Sequence, residues 1–573
     1  MNNGYNMTLV NINQQVVIKK KPKTILSDLS LNINEGEFIA IVGGSGAGKT
    51  TLMNIMSGYN KPTKGQVLIE GQDIEKEKDY FKGKIAYVPQ KEILDQTLTL
   101  YKSLEYSVKL RVKNITKEKT KSTINNVLKI LELSHVKNTL IKNLSGGEKK
   151  RAAIATEMLS DPKLFLLDEP TSGLDSNIEK KIMRKLREIA DSGKTIIITA
   201  HTVSNLHLCD KILFMGRDGK ICYYGPYEEI FDYFNVQEFV DIYDILKEDT
   251  NTWYKLYKSN MKAETPNNND FIKEKTKRVG FFTQTKTLVS RFVSSLINNK
   301  FMISLLLGQA ILMGVLICLA IERDSLQDPL TSSMICVAFT LASIWLGLFN
   351  TIQEIVKEKD MLKKEYTSGL NFASYIVSKL IVFSILCLYQ AITCVSIVYF
   401  YLDPRPEDIL ITNTLVDLIL NFFLVAFCTS IIGLFISSLA KETKTTIILS
   451  PLYMMFQMLF SGMFIPFVDF TKKVSYFVIG RWGYESFGTI SNLTKYGVLE
   501  AEENFFEFTS SHIMNIWYIL IFISVIFFIL SIITIKKNIL NKDSNILYLD
   551  SEKSKIKKSK NMSIKYLKNL IQN

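Results

Sequence analysis

The segment Gly43-Gly44-Ser45-Gly46-Ala47-Gly48-Lys49-Thr50 has the spacing of glycines, lysine and hydroxyl that a phosphate-binding loop requires. Its glycines let backbone N–H groups approach phosphate oxygens, Lys49 brings positive charge to the β and γ phosphates, and the Thr50 hydroxyl can ligate magnesium. The apolar run Phe38 to Val42 predicts a strand before the loop, and the run from Thr51 to Met56 predicts a helix after it, which is the setting such a loop needs. Further along, the fully apolar strand Leu164 to Leu167 runs into Asp168-Glu169. At a strand end beside a phosphate loop, Asp168 can hold the shell of a magnesium ion and Glu169 can polarise an attacking water. Two acids closing a strand would otherwise be a solvated edge, so their chemistry depends on what stands beside them.

Between these two elements lies Leu144-Ser145-Gly146-Gly147-Glu148, followed by Lys149-Lys150-Arg151. Ser145 and Glu148 have capping-box spacing, so a helix starts here and its free N–H groups form an anion site. By itself such a cap only stabilises a helix. In this order, after a phosphate loop and before a strand ending in Asp-Glu, the segment resembles the signature of ATP-binding cassette proteins. The resemblance implies ATP and Mg2+ as cofactors, with Thr50, Gln90 and Asp168 around the metal. It implies that Ser145, Gly146, Gly147 and Glu148, with Asp175 of the segment Ser172-Gly173-Leu174-Asp175, complete the site of a second chain. It further implies Gln90, after the strand Ile85 to Pro89, as the glutamine that senses magnesium and the membrane domain, and His201, after the strand Thr195 to Thr199, as the switch histidine. Glu169, His201 and Gln90 are then the catalytic set, and Gly43 to Thr51 with Asp168 the ATP-binding set.

The elements that must carry these residues divide the 573-residue chain in two. Hydrophobic residues make up 47% yet charged residues still reach 22%, as expected of a chain split between water and lipid. Residues 1–245 alternate strands and helices and read as an α/β phosphate-loop domain; 246–279 form a polar linker. The largely polar segment 1–14 lacks the basic start and short apolar run of a signal peptide, so the N-terminal domain is expected to stay in the cytosol. Six segments, 301–321, 329–353, 380–402, 418–440, 445–468 and 513–535, contain no Asp, Glu, Lys or Arg and are long enough to span the membrane. An all-α six-helix transmembrane domain over 300–535 follows, with a basic tail at 536–573. Phe281, Phe282, Leu288, Val289, Phe292, Val293, Leu296 and Ile297 recur at helical spacing, with Thr283, Gln284, Lys286, Ser290 and Arg291 between them. They predict an amphipathic connecting helix over 280–299 at the membrane interface.

One side of the spans carries seventeen Lys and Arg and the other six, which places the richer side and both termini in the cytoplasm. The formal net charge of +13 gathers in loops and tail beside the apolar segments, so it reads as a topology signal and not as a nucleic-acid surface; no nucleic-acid partner is expected. The tail has ten Lys against Asp543, Asp550 and Glu552 and suits anionic membrane lipid or plain solvation. The seven cysteines form no CxxC pair and read as buried thiols.

Nucleotide domain first and membrane domain second is the order of the G subfamily of these transporters. DQTLTLYKSLEYSVKL (95–110), GKICYYGPYEEIFDYF (219–234), KDMLKKEYTSG (359–369) and RWGYESF (481–487) resemble that group. The resemblance covers about 20–535. It implies type-V exporter architecture, coupling through the loop near Glu358 to Tyr366, and a half-transporter that pairs as a homodimer or heterodimer to export or flip a hydrophobic or amphipathic lipid, sterol or xenobiotic-like molecule. An ATP-driven importer and a non-transporting regulator are the alternatives. It also implies a central cavity between the second and fifth spans, here carrying Trp345, Phe349, Met454 and Met455, with Met463 and Phe464 as the gate. Val16 falls where many relatives stack a ring on adenine. The 469–512 loop, expected outside, has no cysteine, and its Asn492-Leu493-Thr494 is a glycosylation sequon.

Overall fold

The computed structural model describes residues 4–18, 21–200, 203–260, 279–323, 328–402, 410–496 and 505–540. These fall into two compact units, Met1–Gly280 with Lys364–Gly369, and Phe281–Lys363 with Leu370–Leu540.

The first unit has ten strands: β1 (Met7–Ile18), β2 (Lys21–Ile33), β3 (Phe38–Gly43), β4 (Lys64–Ile69), β5 (Gln72–Asp73), β6 (Ile85–Val88), β7 (Leu164–Leu167), β8 (Thr195–Thr199), β9 (Lys211–Met215) and β10 (Ile221–Gly225). One sheet has the order β2-β1-β4-β5 and is antiparallel; the other has the order β10-β9-β3-β8-β7-β6 and is parallel except at β10. The parallel strands are covered on both faces, which explains why they read as unbroken apolar runs. Alternate residues sort to two cores: Phe38, Ala40, Val42, Ile196 and Ile198 enter one, while Ile39, Ile41, Leu164, Leu166 and Ile197 enter the other. Sequential pairing β3-β8-β7-β6 sets four strand ends side by side, roughly 4.8 Å apart.

The segment Lys364–Gly369 packs within this first unit. The Gly83 N–H donates to the Thr367 carbonyl at 3.1 Å, and the Lys82 ammonium lies 3.7 Å from the centre of the Tyr366 ring. Glu157, on the helix Gly146–Met158, is paired there with two cations: Arg111 at 2.9 Å and Lys364 at 2.9 Å. All three side chains are buried, at 5%, 6% and 8% exposure.

Among the described residues, five helices of the second unit are long and apolar enough to cross a membrane: Lys300–Ala320, Pro329–Lys357, Phe372–Leu402, Thr414–Leu439 and Ser510–Ile539. The expected span over 445–468 differs. Its helix, Thr443–Leu459, has 17 residues, about 26 Å at 1.5 Å per residue against ~30 Å of hydrocarbon. The helix ends at Leu459, Gly462 follows in the left-handed region at φ +80, and residues 460–468 are non-helical. Side-chain amides link three of the membrane helices: half-buried Gln309 donates from Nε2 to Asn350 Oδ1 at 2.9 Å, and buried Asn350 donates from Nδ2 to buried Gln390 Oε1 at 2.8 Å.

The connecting helix spans Phe281–Asn298, but its buried stripe is not the apolar one. Gln284, Thr285, Thr287 and Arg291 are buried beside Leu288 and Phe292, whereas Phe282 is 84% exposed and Val293 and Ile297 also face outward. A tertiary partner accounts for the buried amide: the Asn371 N–H donates to Gln284 Oε1 at 2.9 Å, and the face carrying Phe282, Val293 and Ile297 with Thr283 and Lys286 is left outward. The expected external loop is helical at Asp469–Ser475 and Ile479–Ile490. The helix Ile479–Ile490 has every residue buried, with Arg481 Nη1 donating to Ser475 Oγ at 2.7 Å. All seven cysteines are free thiols, six of them buried.

Candidate active site

The strand ends of the parallel sheet bring the chemistry together. The phosphate loop leaves β3 and re-enters as the helix Lys49–Met56. Gly48, at φ +95, is the N-cap, and a Cβ there would meet Leu26 Cδ2 at 2.7 Å, so only glycine fits. Gly44 and Gly46 are different: nothing lies within 4 Å of the place a Cβ would take, and both are exposed with Ser45 between them. That open concavity of backbone N–H groups is what a phosphate chain requires. Ala47 and Lys49 are buried, and Thr50 is exposed at the rim.

Lys49 Nζ donates to the carbonyls of Gly43 at 2.7 Å and Gly44 at 3.2 Å, which extends it across the loop. Burial lowers its pKa below the ordinary lysine range, against the opposing pull of Glu169 and Asp168. Asp168 follows β7 and is 2% exposed. Burial raises its pKa, and hydrogen bonds from Thr199 and Thr50 oppose the rise. One oxygen, Oδ1, accepts from Thr199 Oγ1 at 2.6 Å; the other, Oδ2, is buried without a hydrogen-bond partner. A buried carboxylate oxygen left open beside a threonine hydroxyl fits a hard cation such as magnesium.

Glu169 stands at φ +52, a strained backbone for a residue with a Cβ. The conformation is fixed by its N–H, which donates to Thr199 Oγ1 at 2.8 Å, and by Gln90 Nε2, which donates to Glu169 Oε2 at 2.9 Å. Gln90 follows β6, whose Val88 carbonyl accepts from the Asp168 N–H at 2.8 Å. Gly43 to Thr50, Gln90, Asp168 and Glu169 are therefore one constellation. Two further residues belong to it that the sequence reading passed over. Thr199, at the end of β8, holds both acids through one hydroxyl. Lys150, on the signature helix, donates from Nζ to the Glu169 carbonyl at 3.3 Å and to that of Ser172.

Ser145 caps the helix Gly146–Met158 with a full capping box: its Oγ accepts from the Glu148 N–H at 3.3 Å, and its own N–H donates to Glu148 Oε2 at 2.9 Å. A Cβ on Gly146 would meet nothing within 4 Å, so this helix start presents open backbone donors. Among the described residues it makes no hydrogen bond to the 43–50 loop of its own chain. Asp175 is the exposed N-cap of the helix Ser176–Asp191. His201 lies outside the described residues. Val16 does not offer a stacking surface: it is buried at 9% exposure, and Val17, at 48%, is the outward residue of the pair.

In the second unit Trp345 and Phe349 are exposed and stacked on one another, with ring centres 4.7 Å apart. Met455 and Phe464 are exposed as well, at 58% and 56%, and Met463 is half-buried. Met454 departs from the expectation, since at 9% exposure it belongs to the interior. Asn492 lies after the helix Ile479–Ile490 at φ +51, half-exposed, with Thr494 Oγ1 donating to its Oδ1 at 3.2 Å.

Comparison with known proteins gives two family matches, ABC transporter over residues 26–172 and ABC-2 type transporter over residues 283–492. An ABC transporter ATP-binding/permease protein of Mycobacterium tuberculosis is 27% identical over 85% of this chain and 58% of its own length. ABC transporter G family members 22 and 14 of Arabidopsis thaliana are 38% and 35% identical over 39% and 38% of this chain, and 31% and 34% of their own lengths. The chain thus spans from about a third to somewhat under three fifths of the length of these relatives.

Proposed function

Because the chain belongs to the ATP-binding cassette transporters, with the cassette-first order of the G subfamily, we propose that it is a half-transporter in which two chains pair, and ATP hydrolysis moves a hydrophobic or amphipathic molecule outward or between leaflets. The observation that supports this most is the joining of one hydrolytic constellation, Lys49, Gln90, Asp168 and Glu169, to five membrane-length helices in a single chain.

Each residue has a task its geometry suits. Gly44 to Thr50 wrap the β and γ phosphates, and Lys49, released from the Gly43 and Gly44 carbonyls, neutralises them. Thr50 and Asp168 would hold magnesium with Gln90 nearby, and when bound the metal neutralises charge on the bridging phosphate oxygens. Glu169, oriented by Gln90 and by its own N–H bond to Thr199, takes a proton from the attacking water. Ser145 with Gly146 and Gly147 approaches the γ-phosphate held by the partner chain, with Asp175 alongside. His201 completes the set by family resemblance. ATPase activity in liposomes against a panel of amphipathic compounds and lipids tests the reading; stimulation names the substrate class, and an ATPase indifferent to every compound speaks against transport.

The cation bias supports a cytoplasmic position for the cassette and both termini, with residues 469–512 outside. A cysteine introduced at Ser491 is expected to react with an impermeant maleimide from the non-cytoplasmic side. Labelling from the cytoplasm overturns this topology.

The exposed apolar groups Trp345, Phe349, Met455 and Phe464 suit the wall of a path at the dimer axis, where aromatic and Met side chains give an adaptable surface for flat or flexible cargo. Met463 and Phe464, in the non-helical turn after Leu459, are our candidates for the gate. Phe464→Ala is expected to change transport per ATP hydrolysed without lowering the amount of protein. Unchanged coupling removes Phe464 from the gate.

A further inference from the structure

The first unit contains a cavity of about 220 Å³ away from the phosphate loop. It opens where the end of the helix Lys117–Ile130 meets the signature helix Gly146–Met158 and the helix Ser176–Asp191. Its volume equals the liquid share of about seven water molecules. Ile130, Leu131, Ile178 and Ile182 supply an apolar floor, and the rest of the wall is charged: Arg151, Lys181, Arg184 and Lys185 against Glu132 and Glu188.

The charges do not balance. Lys181 is paired with Glu132 at 2.9 Å, and Lys185 with Glu188. Both acids of the wall are thereby engaged, while Arg151 and Arg184 remain. Arg184 is exposed and forms no ion pair among the described residues. Arg151 is 7% exposed, and its Nε is buried with no hydrogen-bond partner. Glu132 is close enough to feel the Arg151 charge, but its carboxylate is held by Lys181. An unpaired guanidinium N–H inside a protein is costly, and such groups are normally satisfied by a carboxylate, a phosphate or water.

We propose that this cavity is a binding site for a small organic monocarboxylate: a carboxylate that meets Arg151 and Arg184, on a short apolar or aromatic body that rests on Ile130, Ile178 and Ile182. The occupant touches both the signature helix and the helix capped by Asp175, so it is placed to alter how these two elements meet a second chain, without entering the nucleotide site.

The test uses the full-length chain in lipid nanodiscs, with benzoate as the probe, acetate as charge without body, and benzyl alcohol as body without charge. Isothermal titration is expected to show saturable binding of one benzoate per chain, undiminished by saturating Mg-ATP, and at least tenfold weaker for acetate and benzyl alcohol. Ile178→Trp, which fills the cavity, and Arg184→Ala, which removes the exposed cation, are each expected to weaken benzoate at least tenfold with basal ATPase and melting temperature unchanged. If Ile178→Trp does not fold, Ile178→Phe replaces it. No saturable benzoate binding, equal binding of either control, displacement by ATP, or full affinity in either variant overturns the proposal. None of these outcomes bears on hydrolysis or transport, so the cavity and the function stand or fall separately.

Discussion

Glu169→Gln is expected to slow ATP hydrolysis by roughly 10²–10⁴-fold while leaving ATP affinity unchanged. The substitution keeps the shape of the side chain and an acceptor oxygen for Gln90 Nε2, and the backbone bond from the residue-169 N–H to Thr199 Oγ1 is untouched. What disappears is the carboxylate proposed to take the proton of the attacking water. Lys49→Ala separates the two roles: it removes the charge that spans the phosphate loop and should weaken binding itself. Single-turnover hydrolysis and equilibrium binding of a fluorescent ATP analogue, measured on both variants, check the pair. Near-normal turnover in Glu169→Gln would remove this residue from catalysis.

The second large effect is on stability. Burial alone would raise the pKa of Glu157, but the charges of Arg111 and Lys364, and their hydrogen bonds, outweigh it and hold the carboxyl at about 2. A folded pKa below the unfolded one means stabilisation that is fully present above about pH 4.5 and lost as pH falls through about 2. The shift corresponds to on the order of 3 kcal/mol, and loss of one partner of a buried pair costs a similar amount. Glu157→Gln removes the carboxylate that Arg111 and Lys364 share in the interior and should destabilise the first unit by about 3–5 kcal/mol at neutral pH. Chemical denaturation followed by Trp fluorescence, run at pH 7 and at pH 3, should show the gap between wild type and variant narrowing in acid. A gap that is small at pH 7, or constant with pH, contradicts the pairing.

The placing of the candidate site at neighbouring strand ends was legible because the physics that makes those strands is local. β3, β7 and β8 are buried on both faces and therefore appear as unbroken apolar runs, and their carboxyl ends carry the phosphate loop, Asp168-Glu169 and Thr199. Thr199 escaped notice because a threonine closing a strand looks like any β-branched residue; only the fold shows its hydroxyl between the two acids. The connecting helix lies where periodicity expects it, Phe281–Asn298, but periodicity could not show that Gln284 is buried with a backbone partner while Phe282 stays exposed, as a helix expected at a membrane interface allows. The fifth apolar segment was read as a full span because 445–468 carries no charge, and that criterion does not register the helix end at Leu459 or the left-handed Gly462 beyond it. The buried helix Ile479–Ile490 was hidden by its own Arg481 and Glu485, which lie 3.4 Å apart and so bury together inside a stretch that reads as a polar loop.

The central claim, that hydrolysis at this site drives movement through the apolar helices, is tested most directly by vectorial transport in sealed proteoliposomes. With the cassettes facing the bath, ATP is expected to drive accumulation of a fluorescent amphiphile, or its transfer between leaflets, at a rate that falls with hydrolysis in Glu169→Gln. Steady hydrolysis by the wild-type chain with no amphiphile or lipid moved, or movement at the same rate without ATP, would contradict the account.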